Sequence, residues 1–325
     1  MKRLRTVLHS ATILAAVCVL ALAHSGGIGW SQTRTIKIVV PAPAGGVADV
    51  VARVLAEHVS RAYGPAIVVE NRPGAGTSIG SEAVARAAPD GNTLLLTSPP
   101  LIINPHLRKL NYDPLTSFEP ICNLTSSPMV IVVNSASSYR TLDDLLAAAR
   151  AQPGSLTLGS LPAGVSQIAF ERLKRAANID MTFVPFPGDA PVVNALMGQH
   201  VTSAFITYPG AVAQVKAGTL RALAVGARIR TEALPEVPTV AESGFKEYEA
   251  DFWTGLIAPA KTPKPAIAEL AGWFTAAIQV AEVKAKLATM GLAPTVICGA
   301  EFGAMMQKQY DDYGRVIREA NIKAE

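Results

Sequence analysis

The chain predicts an α/β fold with mainly parallel sheets and flanking helices, built as two lobes. Two observations carry this. From Thr35 onward, short β-branched runs alternate with stretches of helical periodicity and Gly/Pro turns. About 300 residues remain once an N-terminal targeting segment is set aside, more than one core usually holds.

That segment is Met1–Ala23. Lys2, Arg3 and Arg5 form a basic start, Ala11–Ala21 is apolar but short for a membrane span, and Ala21-Leu22-Ala23 fits a small-x-small cleavage site. It reads as a signal peptide with the mature chain starting near His24; an uncleaved anchor helix is the alternative. Cys18 is a poor lipid anchor because Val17 stands where a small residue is wanted. The full chain carries 29 basic and 25 acidic residues; the segment takes three basic ones, leaving 26 against 25. A net charge near zero gives no argument for nucleic acid or a membrane surface as partner. Two cysteines remain, Cys122 and Cys298. They could pair in an oxidising compartment, but so wide a spacing is no disulfide framework, and two buried free thiols are the expectation.

The stretch Ile36–Arg61 organises the first lobe. Ile36, Ile38, Val39 and Val40 suit a buried strand; Pro41 and Pro43 stop it. Gly45-Gly46 supply a turn that can take positive φ and let a ligand approach the backbone. A helix follows, with Val47, Val51, Val54, Leu55 and Ala62 on one face and Asp49, Arg53, Glu57 and Arg61 in alternating sign on the other, ended by Tyr63-Gly64-Pro65. A helix start behind a glycine turn is an anion site that needs no Lys or Arg, although an ordinary β–α turn has the same look. Asp49 has the plain role of a first-turn acid paired with Arg53.

Ala66–Glu70 is the next strand and Thr77–Ala87 the helix beyond a Gly-rich turn. Thr93–Thr97 is a strand running into Ser98-Pro99-Pro100. Met129–Asn134 is a strand, and Thr141 caps the helix to Arg150 through Asp144. Ser155–Gly159, Phe183–Phe186, Val201–Ile206 and Leu220–Val225 are strands of the second lobe, with helices Gln167–Ala177 and Ala190–Met197. Ala250–Pro259 returns to the first lobe. Lys264–Met290 is helical with a break near Val280, Gly291–Ile297 is a short strand, and Glu301–Asn321 is a long helix. Its stripe Phe302, Met305, Met306, Tyr310, Tyr313 and Ile317 reads as core and not as a cofactor box. The lobes are expected at residues 34–132 with 251–325, and at 133–250.

Catalytic and metal signals are sparse. No H-E-x-x-H, C-x-x-C, G-x-G-x-x-G or GK[ST] signal stands out, and the nucleophile elbow G-x-S-x-G is read as missing too. His58, His106 and His200 have no carboxylate or serine at a telling spacing, so no catalytic residue, metal or cofactor is expected. Neutral donors recur at turns instead: Gly45, Gly46, Thr77, Ser78, Ser98, Ser160, Ser166 and Gly188. That inventory suits binding and release better than proton transfer.

Five motifs in order resemble a known family. PAPAGGVADVVAR, ENRPGAGTSIG, PDGNTLLL, VPFPGDAPVVNALMGQ and LPEVPTVAESG, spread over nearly the whole chain after Thr35, are similar to the Bug-type solute receptors of tripartite tricarboxylate transporters. The resemblance implies a two-lobed "Venus flytrap" of the periplasmic-binding-protein kind, with lobes joined by crossing strands and a small organic carboxylate held between them by backbone N–H groups, hydroxyls and water. It places first-lobe contacts at Ala44, Gly45, Gly46 and Val47, helped by Thr77, Ser78 and Ser98. Second-lobe contacts fall on the loop from Ser160 to Ser166, on Gly188, Asp189 and Ala190, and on Thr207. It implies a periplasmic monomer that hands its ligand to integral-membrane transporter subunits; presentation to a membrane sensor, or a secreted enzyme on the same scaffold, are the alternatives. Pro162, Val165, Ile168 and Thr202 stand where the family often has glycine, serine, histidine and an acid, which points to a more apolar far end of the ligand.

Overall fold

The computed structural model describes residues 34–323. The expected signal peptide, Met1–Ala23, and the start near His24 lie outside the described residues. Strand β1 (Thr35–Val40) is almost wholly buried at Ile36, Ile38 and Val40. It runs through a glycine turn into helix α1 (Val47–Tyr63) and back to β2 (Ala66–Asn71), which pairs parallel with β1. The inward stripe of α1 is Val51, Ala52, Leu55, Ala56 and Val59. Three residues depart from the expected faces: Val47 and Ala62 are exposed, and Asp49 is buried because the glycine turn draws its carboxylate inward. Gly64, at φ +88°, ends the helix as its left-handed cap. Helix α2 (Ser78–Ala85) leads to β3 (Thr93–Thr97), parallel to β1 on its other side. A short helix α3 (Pro100–Ile103) follows.

Strand β4 (Phe118–Asn134) is 17 residues long and belongs to two sheet regions. The sequence reading saw only Met129–Asn134. Pro120 and Pro128 and the polar run between them hide the first part, and register shifts at Pro120/Cys122 and Asn123/Thr125 show how the ladder absorbs it. Helix α4 (Leu142–Ala151) has the expected capping box: Asp144 N–H donates to Thr141 Oγ1 at 3.1 Å and Thr141 N–H to Asp144 Oδ2 at 2.9 Å. Next come β5 (Thr157–Ser160), α5 (Val165–Ala177), β6 (Thr182–Pro185), α6 (Asp189–Met197) and β7 (Ser203–Thr207). Helix α7 (Tyr208–Lys216) was not foreseen; Pro209 and Gly210 look like breakers, but a proline in the first turn loses no hydrogen bond. β8 (Leu220–Val225) and β9 (Asp251–Pro259) lead to α8 (Lys264–Gln279) and α9 (Ala281–Thr289), which meet at Val280 as expected. β10 (Ala293–Cys298) and α10 (Gly299–Glu319) close the described chain.

The sheet order is β2-β1-β3-β9-β4-β7-β5-β6, with β8 and β10 also on β4. Flanking strands pair parallel (β1 with β2 and β3, β5 with β6 and β7), whereas the crossing strands β4 and β9 pair antiparallel with each other and their neighbours. Along Phe118–Pro128, β4 pairs with β9; from Met129 its partners are β7 and β8. The α10 stripe is core: Phe302, Met306, Tyr313 and Ile317 are buried, and Phe302 meets the edge of Trp253 at 5.5 Å. Cys122 and Cys298 form a disulfide, which corrects the expectation of free thiols. They face each other across the antiparallel β4–β10 pair, a register that a separation of 176 residues conceals.

Candidate functional site

The carboxyl ends of β1, β3, β5 and β7 open onto a common cleft, the place where ligands sit in open α/β sheets. It consists of two adjoining cavities of about 300 Å³ each. The first is mainly apolar, with Pro41, Ala42, Val47, Leu96, Phe252 and Leu292 in its wall and the hydroxyl residues Thr97, Ser98, Ser127 and Thr254 among them. The second is more polar: Gly76, Asn104 and Arg108 on one side, Leu161–Ser166 and Asp189 on the other. Thr77, Pro100, Thr207 and Phe252 belong to both.

The turn after β1 is built by its own polar groups. Gly45 takes φ +81°, and its N–H donates to Asp49 Oδ2 at 2.9 Å. Arg53 Nε donates to both Asp49 oxygens at 3.0 Å, Arg53 Nη2 donates to Asn71 Oδ1 at 3.1 Å, and Asn71 Nδ2 donates to Ala42 O at 3.1 Å. The Arg53 bond, with help from Gly45 N–H and Asn71, outweighs desolvation and lowers the Asp49 carboxyl from 3.8 to about 2. Asp49 therefore pairs with Arg53 as expected and also props the turn. The left-handed residue is Gly45; Gly46 has φ −73° and serves as the α1 N-cap without a side-chain cap. First-turn N–H groups have no partner within a helix, so those at Val47 and Ala48 are the donors the turn presents.

The second loop of this wall holds four successive residues at positive φ: Gly74 (+126°), Ala75 (+47°), Gly76 (+60°) and Thr77 (+84°). For a β-branched residue such as Thr77 this is a strained state, of order 1–3 kcal/mol. Backbone ties hold it. Thr77 O accepts from Ser81 Oγ at 3.0 Å, and Gly76 O accepts from Asn104 Nδ2 at 2.5 Å. The Thr77 hydroxyl itself is buried without a partner. Residues 76–80 have the G-x-S-x-G spacing of a nucleophile elbow, which corrects the reading of that motif as missing. Ser78 Oγ is buried with no hydrogen-bond partner, base included, and Ser78 is not among the residues lining either cavity.

On the opposite wall, α5 begins at Gly164 without a side-chain cap, and Ala163 N–H donates to Gln167 Oε1 at 2.7 Å. α7 begins at Thr207, whose hydroxyl donates to Asp189 Oδ2 at 2.7 Å. Burial pushes the Asp189 carboxyl above its ordinary value, and the Thr207 bonds only partly offset this.

Of the expected contacts, Val47, Thr77, Ser98, Ser166, Asp189 and Thr207 line the cleft. Ala44, Gly45 and Gly46 shape the turn and do not line it, and Gly188 is the α6 N-cap just behind Asp189. Ala190 is exposed outside the wall. Ser160 is fully buried, and its hydroxyl donates to Phe205 O at 2.6 Å, tying β5 to β7. Phe252, Thr254, Asn104 and Arg108 were missed because they reach the cleft from remote strands and loops; only Thr97, ending a strand at a turn, had a local signal. His106 packs on Tyr310, with Nε2 2.9 Å from Tyr310 O, and burial lowers its pKa. Among the described residues no group of three His, Cys, Asp or Glu is placed to hold a metal ion.

Comparison with known proteins agrees with this geometry. Residues 51–322 match the family model described as "Tripartite tricarboxylate transporter family receptor". Protein BugT of Bordetella pertussis is 33% identical over 298 residues, 89% of this chain and 90% of that one. The solved periplasmic binding protein BugD is 30% identical with a TM-score of 0.72, over 90% of this chain and 99% of BugD. Two proteins of Rhodopseudomonas palustris, each 28% identical, were solved with ligands. Rpa4515 with adipate has a TM-score of 0.76 (90% of this chain, 99% of that one), and MatC with malate has 0.71 (88% and 99%). The α/β architecture described above is thus that of periplasmic binding proteins.

Proposed function

The chain belongs to the tripartite tricarboxylate transporter receptor family, and from that premise we propose that it captures a small organic carboxylate in the cleft and delivers it to an integral-membrane transporter. One observation carries the reading: two helix starts without side-chain caps, those of α1 and α5, meet the same cleft together with the partnerless Thr77 hydroxyl. Oriented N–H groups and a free hydroxyl are what a carboxylate needs in place of water. The adipate and malate held by the two relatives support the ligand class.

In this reading residues 34–132 with 251–325 form one lobe and residues 133–250 the other, and they close on the ligand by bending at the crossing strands. The chain works as a monomeric binder without cofactor, catalysis or nucleic-acid partner. It acts in the periplasm after cleavage near Ala23; the Cys122–Cys298 disulfide suits that oxidising compartment. A thermal-shift screen of the mature chain against adipate, malate, citrate, aromatic acids and amino acids tests the proposal. An acid at a hundred times its dissociation constant should add about 2.7 kcal/mol of stability. If no carboxylate raises the melting temperature, the reading fails.

A further inference from the structure

The two charged side chains of the cleft occupy the same cavity, that of about 300 Å³ behind Thr77. Arg108 stands on the side of Gly76 and Asn104, and Asp189 on the side of α5 and α7. Neither enters an ion pair among the described residues; the salt bridges found there join other side chains. Arg108 Nε is buried without an acceptor. Among the described residues Asp189 is met by Thr207, through its hydroxyl on Oδ2 and its backbone, and no cation relieves the burial of the carboxyl.

A cation and an anion that line one small cavity without neutralising each other are complementary to a molecule carrying both signs. A dicarboxylate would meet Asp189 as a like charge. A ligand ammonium would give that carboxylate the partner it lacks, while a carboxylate on the same molecule takes the donors of the facing wall. The adjoining cavity, with Leu96, Phe252 and Leu292, is apolar enough for a hydrocarbon body.

We infer, on the premise that the cleft binds a carboxylate, that its ligand is a zwitterionic amino-carboxylate whose ammonium group donates to Asp189. The carboxylate then sits on the Val47, Ala48 and Thr77 donors with Arg108 behind them. Asp189 also has a structural task, since it opens α6 and receives the hydroxyl of Thr207, the residue from which α7 starts. That task alone predicts an effect on stability and none on ligand choice.

Calorimetry on the mature chain with matched pairs separates the two: phenylalanine against 3-phenylpropanoate, leucine against 4-methylpentanoate, glutamate against glutarate. The expected result is at least one pair in which the amino acid binds tenfold or more tighter. Asp189→Asn should bring that ratio within about threefold while leaving the affinities of 3-phenylpropanoate and 4-methylpentanoate nearly unchanged. Should Asp189→Asn not fold, Asp189→Ser, which keeps a side-chain oxygen at the helix start, must give the same loss of preference. Deaminated acids that bind as tightly as their amino partners, or a ratio that survives both substitutions, would overturn the inference and leave the carboxylate reading standing. If no member of any pair binds, the carboxylate reading falls and this inference with it.

Discussion

Two aspartates open helices at this cleft, and the chain treats them in opposite ways. Asp49, in the first turn of α1, is held by Arg53, by Gly45 N–H and through Asn71, and its carboxyl sits at about 2. Asp189, the first residue of α6, is half-buried with Thr207 as its partner, and its carboxyl is raised. The turn after β1 is thus finished by its own charges and offers a ligand neutral donors. The second wall leaves a charge unanswered. Asp49 has a cation four residues on, Arg53, whereas Asp189 has Val193 there.

The contrast is broken most directly by neutralising each carboxylate. Asp49→Asn should cost about 1.5–3 kcal/mol in denaturant melts, the scale of hydrogen bonds to a charged group. Asp189→Asn should cost less than about 0.5 kcal/mol or stabilise, since it removes a desolvated charge. Equal losses would erase the distinction.

The pH dependence carries opposite signs. The folded pKa of Asp49 lies below its ordinary 3.8, so its contribution is present above pH 3.8 and is lost as pH falls toward about 2. The folded pKa of Asp189 is raised, so the native state holds that proton more tightly than the unfolded chain. Asp189 therefore subtracts stability as pH rises from 3.8 toward its folded value. Against the parent, Asp49→Asn should flatten the acid limb below pH 4, and Asp189→Asn should lift the curve above it. Urea midpoints measured from pH 2 to pH 8 check both.

Smaller effects are expected at the turn that Asp49 supports. Gly45→Ala places a side chain at φ +81° and should destabilise by about 1 kcal/mol. Gly46→Ala keeps φ −73°, and its Cβ would lie 3.4 Å from Pro43 O, so a change within about 0.5 kcal/mol is expected. Thermal melts of the two variants should rank in that order.

Local features of the fold were legible in the sequence. The β-branched run before Pro41, the helix ended by Gly64, the Thr141–Asp144 box and the break at Val280 are each written within a few residues. What stayed hidden depends on partners far along the chain. The first half of β4 is a strand because β9 and β10 pair with it, against its prolines and polar residues. The same pairing joins Cys122 to Cys298. At the site, the turn after β1 announced itself through its glycines, but Arg108, Phe252 and Thr254 arrive from separate segments, and nothing near them in sequence marks a cleft. The resemblance to a family supplied the cleft; it did not show that Asp49 is paired with a cation and Asp189 is not.

The central claim is that a ligand carboxylate is held by the neutral donors of the turn after β1. Amide NMR of the ¹⁵N-labelled mature chain, titrated with whichever acid gives the largest thermal shift, tests it most directly. The amides of Val47 and Ala48 should move the most, and those of Gly45, already bonded to Asp49, and of Thr77, already bonded to Gly74 O at 3.1 Å, should move less. Shifts gathered instead in the groove between α1 and α9, around His58, Arg61 and Lys286, with Val47 and Ala48 still, would contradict the account.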